Sequence, residues 1–192
     1  MTPALAVMLL AAPAGAQIGF DGDKFVAAVR DRDGNKAMEL LRARGATILD
    51  ARDDKGETGL IVAILRRDEN WTGFLLSEGA DPSLAARNGD TPLIAAARSG
   101  YTSAAAQLIE LQVKVDAANR MGETALIIAV QQRQRDTVEL LLAVGADPDK
   151  SDSAAGLSAR DYATRDSRSR ELLKLIENRK PPVPNGAAAL KL

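Results

Sequence analysis

Apolar positions along this 192-residue chain fall in short, evenly spaced runs. "GETGLIVAI" begins at Gly56, "GDTPLIAAA" at Gly89 and "GETALIIAV" at Gly122, each 33 residues after the one before. A second landmark keeps the same step. "FLLSEGADP" ends at Pro82 and "LLLAVGADP" at Pro148, with "QLIELQVKV" in the slot between them and Gln112 standing where the other two have glycine. The polar stretches "DARDDKG", "AARNGD" and "AANRMG" separate these runs and read as projecting turns. Strand-like alternation is confined to those links. Self-similarity at one fixed period predicts a stacked array of small helical units.

Each unit can be read residue by residue. Thr58, Thr91 and Thr124 stand where a hydroxyl caps the first turn of a helix. Pro92 follows at the first helical position, where a missing N–H costs nothing, with Gly59 and Ala125 in the other copies. Glu57, Asp90 and Glu123 lie beside the same helix start, where negative charge is favoured. A second helix, such as "TVELLLAV" over 137–144, is predicted to stop at Gly145. The flanks, residues 23–46 and 156–178, read as degenerate copies, as the ends of an array require because one face of each meets water.

These residues carry a resemblance to the ankyrin repeat, whose opening motif is Thr-Pro-Leu-His followed by small residues. The resemblance covers residues 23–178 and implies an all-α solenoid of right-handed stacked helix-turn-helix units with short β-turn or hairpin loops projecting from it. The expected boundaries are an N-terminal cap over 23–52, repeats over 53–85, 86–118 and 119–151, and a C-terminal cap over 152–178. One departure recurs: the family's histidine, which ties one loop to the next, is Ile61, Ile94 and Ile127 here. An apolar ladder is expected in its place. A second departure is Gln112, where glycine would avoid backbone strain.

The resemblance also implies a concave face that binds another protein through loop tips and the exposed edge of each first helix. Carried over copy by copy, those positions are Asp54, Lys55, Glu57, Leu65 and Arg66 in the first full unit. They are Arg87, Asn88, Asp90, Arg98 and Ser99 in the second, and Arg120, Met121, Glu123, Gln131 and Gln132 in the third. Arg66, Arg87, Arg98 and Arg120 suggest a row of guanidiniums, read either as ordinary solvated charge or as a patch for carboxylates on a partner.

Composition narrows the chemistry. The chain has no cysteine, hence no disulfide or thiolate site, and no histidine, hence no common general base or transition-metal ligand. Lys plus Arg total 25 against 26 Asp plus Glu, and aromatics make up 3%. That balance offers neither a field for nucleic acid nor a base-stacking platform. "DRDGNK" at 31–36 alternates acids as a calcium loop does, but its sixth position is Lys36 and its twelfth is Arg42. No phosphate loop or nucleophile elbow occurs. Arg165, Arg168 and Arg170 among Asp161, Asp166 and Glu171 read as a mixed-charge cap surface. Trp71 reads as packing between units or as a partner anchor, and Tyr101 is open in the same way.

Residues 1–16 carry no charge, a short apolar core from Ala4 to Ala12, and then Pro13 and Ala14-Gly15-Ala16. They are expected to be a signal peptide cleaved after Ala16, sending the chain to a periplasm or out of the cell without stable membrane insertion. Residues 17–22 form a short leader to the array, and residues 179–192, with paired prolines, an extended tail. The sequence thus favours a monomeric, non-enzymatic module without cofactor or metal, which binds a protein and not nucleic acid. The alternatives are an inhibitor or immunity factor against a toxin or enzyme and, after it, an enzyme working with carboxylates.

Overall fold

A computed structural model describes residues 14–179, with side chains described from Asp21 onward. The expected signal peptide therefore lies outside the described residues except for Ala14–Ala16, and so does the expected tail except for Arg179. The described chain is a row of helix pairs. They are α1 (Ala14–Asp31) with α2 (Gly34–Arg44), α3 (Gly59–Leu65) with α4 (Glu69–Ser77), α5 (Pro92–Ser99) with α6 (Thr102–Glu110), α7 (Ala125–Gln131) with α8 (Arg135–Ala143), and α9 (Ala159–Arg165) with α10 (Arg170–Glu177). α1 begins at Ala14, well ahead of the start expected near Asp23.

The first helices of the inner units are too short to persist alone, so capping and packing hold them. Thr58, Thr91 and Thr124 accept the backbone N–H of Ile61, Ile94 and Ile127 at 3.3, 3.2 and 3.3 Å. In the last unit Ser158 and Asp161 cap each other's backbone reciprocally. First helices stack in order, α1 on α3, α3 on α5, α5 on α7 and α7 on α9, while α6, α8 and α10 line up behind them. Ile61, Ile94 and Ile127 are 1%, 0% and 0% exposed, so the expected apolar ladder is present. Burial of each contributes roughly 1.5–3 kcal/mol. Ala95, Ala96, Ala97, Ala104 and Ala105 are buried as well, and their small side chains let neighbouring helices approach closely.

Among the described residues there is no strand. Isolated antiparallel bridges join Arg52 to Thr58, Ala118 to Thr124 and Ser151 to Ser158, closing the first, third and fourth loops at their bases. The molecule is the all-α array with hairpin-like loops that the periodicity predicts. Helix ends depend on left-handed backbone. Gly79 and Gly145 close α4 and α8 at φ +94° and +93°, and Gln112 adopts +59° in the same slot after α6. Arg32, Arg67 and Arg133 adopt +59°, +54° and +54° between paired helices, where Gly100 has +67°.

Candidate partner-binding face

Loop shape is set by one acid or amide per turn. Asp53 Oδ1 accepts the N–H of Lys55 at 3.0 Å and of Glu57 at 2.8 Å. Asn119 Oδ1 accepts those of Met121 at 2.9 Å and Glu123 at 3.0 Å, and Asp152 Oδ1 those of Ala155 at 2.7 Å and Gly156 at 3.0 Å. In the second loop that slot holds Ala86, and Asn88 takes over, its Oδ1 accepting the N–H of Asp90 at 3.0 Å. Successive loops lie directly against one another. A Cβ on Gly89 would sit 2.7 Å from the backbone nitrogen of Arg120, and one on Gly122 2.5 Å from that of Ser153, so only glycine permits the stack. Arg120 N–H donates to the Asn88 carbonyl at 3.1 Å and Ser153 N–H to that of Met121 at 2.8 Å.

Acids and arginines interleave below the tips. Arg30, at the end of α1, donates through Nη2 to Asp53 and, at 3.2 Å, to Glu57. Arg98, two seams further on, donates to Asp90 at 3.0 Å and lies 3.9 Å from Glu123. Asn119 Nδ2 adds bonds of 2.8 Å to Asp90 Oδ1 and 2.8 Å to Glu123 Oε2. Burial pushes the Asp53 carboxyl up, but the Arg30 guanidinium and the N–H groups of Glu57 and Lys55 outweigh it and hold the group below its ordinary value. Asp152 is likewise pushed up by burial and pulled down further by the Tyr162 hydroxyl, which donates at 2.6 Å, and by backbone donors. The same bond to Asp152, with burial, raises Tyr162.

The positions expected to read a partner separate into two groups. Asp54, Lys55, Arg87, Asn88, Arg120 and Met121 are exposed at loop tips, and Leu65, Arg66, Arg98 and Gln132 are exposed along the helix edge. Glu57, Ser99, Glu123 and Gln131 are half-buried, and Asp90 is buried. Asp90 is thus a tie within the stack, surrounded by Asn88, Arg98 and Asn119. Ser99 is another, its hydroxyl reaching the carbonyls of Ala95 at 3.0 Å and Ile64 at 3.3 Å. Gln131 lies beside the Tyr162 hydroxyl. The four arginines do not act as one row. Arg98 is committed to Asp90 and Glu123, and Arg66 donates to the Arg30 carbonyl. Arg87 and Arg120 make no side-chain bond among the described residues and project from adjacent tips.

A groove of about 400 Å³ opens between the first and second loops, bounded by Lys55, Glu57, Leu65, Asn88, Asp90 and Arg98 over the buried Ile61, Ala86 and Ala95. Six of its residues are among the positions carried over from the repeat. The residues missed at that stage are Arg30, Asp53, Asn119 and Asp152. The last three recur at the repeat step, which was signal enough to find them; Arg30 lies in a unit that lacks the opening motif. On the outer side, Trp71 is half-buried and packs edge-to-face on Phe74 with centroids 5.6 Å apart, beside a shallow apolar hollow that includes Met38. Tyr101 is buried. Asp33, from the calcium-like segment, caps α2 by accepting the N–H of Lys36 at 2.9 Å.

With the stack and its loops in place, comparison with known proteins is direct. A family model for ankyrin repeats in three copies matches residues 68–152, and that part of the chain is made of ankyrin repeats. It is 28% identical to the ANK repeat-containing protein nipk-1 of Caenorhabditis elegans over 68% of this chain and 24% of that protein. It is 32% identical to the human transient receptor potential cation channel subfamily A member 1 over 59% of this chain and 10% of that one. Similarity to NF-kappa-B inhibitor alpha of Sus scrofa reaches 30% identity over 71% of this chain and 48% of the relative. The chain therefore spans a quarter or less of the first two relatives and about half of the third. Ankyrin repeats are typical protein–protein interaction modules.

Proposed function

We propose that this protein binds a protein partner through the face made by its loop tips and first helices, and that it works as a non-enzymatic module outside the cytoplasm. The observation that carries the reading is the groove between the first two loops, with Lys55 on its rim and Arg87 and Arg120 projecting from the next two tips, three cations that make no side-chain bond among the described residues. Loops wedged against each other present those groups with little ordering cost on binding. The absence of histidine and cysteine from the sequence supports a role without catalysis. The uncharged, small-residue opening of the chain supports export.

Two experiments test this. Tagged protein is used for crosslinking and affinity capture beside a variant carrying Lys55→Ala, Arg87→Ala and Arg120→Ala, substitutions that break no side-chain hydrogen bond or ion pair among the described residues. One partner held by the native form and lost by the still-folded variant is the expected result; identical captures by both would place binding elsewhere. For export, residues 1–22 are fused to a phosphatase active only outside the cytoplasm. Activity, with a mature terminus at Gln17, is expected, and an inactive, uncleaved fusion would overturn that part.

An inhibitory role is the second form of the same reading. It is favoured by the similarity to NF-kappa-B inhibitor alpha, by name an inhibitor. Stoichiometric loss of a captured partner's own activity would single it out.

A further inference from the structure

The repeat contains a filled copy of its own groove. In the third loop, the Asn119 carboxamide donates to Asp90 of the preceding unit and to Glu123 of its own, at 2.8 Å each. One unit back, the two acids at the same positions are Glu57 and Asp90, and the residue that would bridge them is Ala86, which carries no donor. That is where the groove of about 400 Å³ lies. Among the described residues Glu57 Oε1 accepts no hydrogen bond, and its Oε2 is engaged by Arg30. The loops on either side also lack the backbone bond that joins the second loop to the third and the third to the fourth.

Charge decides the kind of donor. The carboxylates of Asp53, Glu57, Asp90 and Glu123 are paired only with the guanidiniums of Arg30 and Arg98, and even with the unbonded Lys55 ammonium at the rim the four acids outnumber the three cations. An incoming cation is favoured over a neutral amide or an acid. Bridging two carboxylates calls for several donors in one plane, which a guanidinium has and an ammonium lacks. Leu65, 37% exposed at the rim, offers apolar surface to the stem of such a side chain.

We infer that the groove at Ala86 receives an arginine side chain of the bound partner, its guanidinium bridging Glu57 and Asp90 where Asn119 bridges the equivalent acids one unit on. This rests on the loop and first-helix face being the binding face. It reverses, at this one slot, the polarity expected from the arginine row: the tips present cations, while the groove takes one.

The test uses the full chain, isotopically labelled, titrated with Ac-Gly-Arg-Gly-NH2 and with the same peptide carrying citrulline or glutamate, and followed by backbone amide shifts. Saturable shifts at Asn88, Gly89 and Asp90 are expected with arginine, weaker by about tenfold or more with citrulline and glutamate. Ala86→Asn, which supplies the missing bridge from within, should abolish the arginine response and melt no lower than the native chain. Glu57→Gln, which keeps the shape and removes the charge, should weaken it at least several-fold and serves if Ala86→Asn does not fold. Equal responses to arginine and glutamate, an undiminished response in both variants, or no response to arginine would overturn the inference. Glutamate shifting Lys55 and Arg87 would do so while leaving the binding face standing. Shifts confined to the outer helices, with capture unaffected by the tip variant, would remove both.

Discussion

Gln112→Gly is expected to stabilise the protein, and its size can be worked from the backbone. Gln112 sits at φ +59° in the slot that Gly79 and Gly145 fill at +94° and +93°. Its side chain is exposed and makes no hydrogen bond among the described residues, while its N–H donates to the Ile109 carbonyl at 2.9 Å, a bond that glycine keeps. A Cβ on Gly79 would meet nothing within 4 Å, so the slot constrains backbone and not packing. Left-handed backbone costs a residue with a side chain about 1–2 kcal/mol. Glycine returns about 0.5–1 kcal/mol of that through its greater freedom when unfolded. The net gain is about 0.5–1 kcal/mol, and at about 2–4 °C per kcal/mol for a chain of this size the melting temperature should rise by about 1–4 °C. Thermal melts followed by circular dichroism at pH 7 are compared for three variants. Gly79→Gln should lower the transition by a similar amount. Gln107→Gly, the same exchange inside α6, should lower it by about 1 kcal/mol through lost helix propensity. An unchanged or lower melting temperature for Gln112→Gly would refute the strain argument, and so would equal effects at positions 107 and 112.

Asn119→Ala removes both bonds to carboxylates and the Oδ1 that accepts both loop-closing N–H bonds, and should cost about 2–4 kcal/mol in urea denaturation; a loss below about 1 kcal/mol would mean the loops do not depend on that residue. Thr72 Oγ1 and the Tyr101 hydroxyl are buried without a hydrogen-bond partner, so Thr72→Val and Tyr101→Phe should be neutral or stabilising by up to about 1 kcal/mol; clear destabilisation in the same assay would reveal a partner for the hydroxyl. Stability should be flat from about pH 5 to 8, because no histidine titrates there, and should fall below about pH 4. Asp53 and Asp152 are held below their ordinary value of 3.8, so their contribution is complete above it and drains away as pH falls through the lower folded values. A step in melting temperature between pH 5 and 8 would contradict this.

The fold was legible because one period repeats while its caps stay fixed: three threonines at constant spacing identify three helix starts, and all three hydroxyls cap as expected. The end unit was less legible. Its opening carries no motif, and α1 runs back to Ala14 across the boundaries that composition placed after Ala16 and before Asp23. At the binding face, repeat arithmetic located the tips, since exposure there follows directly from position in the unit. It did not reveal that Arg98 is engaged by Asp90 and Glu123, because that pairing arises only when two units are stacked. Ala86 was visible in the sequence as a departure from Asp53, Asn119 and Asp152, but its meaning depends on what the side chain would have touched.

Because α3 packs mainly on its own partner helix and on α1 and α5, and α5 in turn on α3 and α7, the array has no contact that requires a particular overall length. Its natural currency of change is the whole unit: one could be removed or duplicated at the seam between α6 and α7 and every junction would be of a kind already present. Single residues are another matter, tolerated where a loop faces open space. The spacing from Thr124 to Ser158 is one residue longer than the others, and the extra residue falls in a loop where a Cβ on Gly156 would meet nothing within 4 Å. Inserted at Gly89, where the next loop lies in direct contact, the same residue would break the register of everything beyond it.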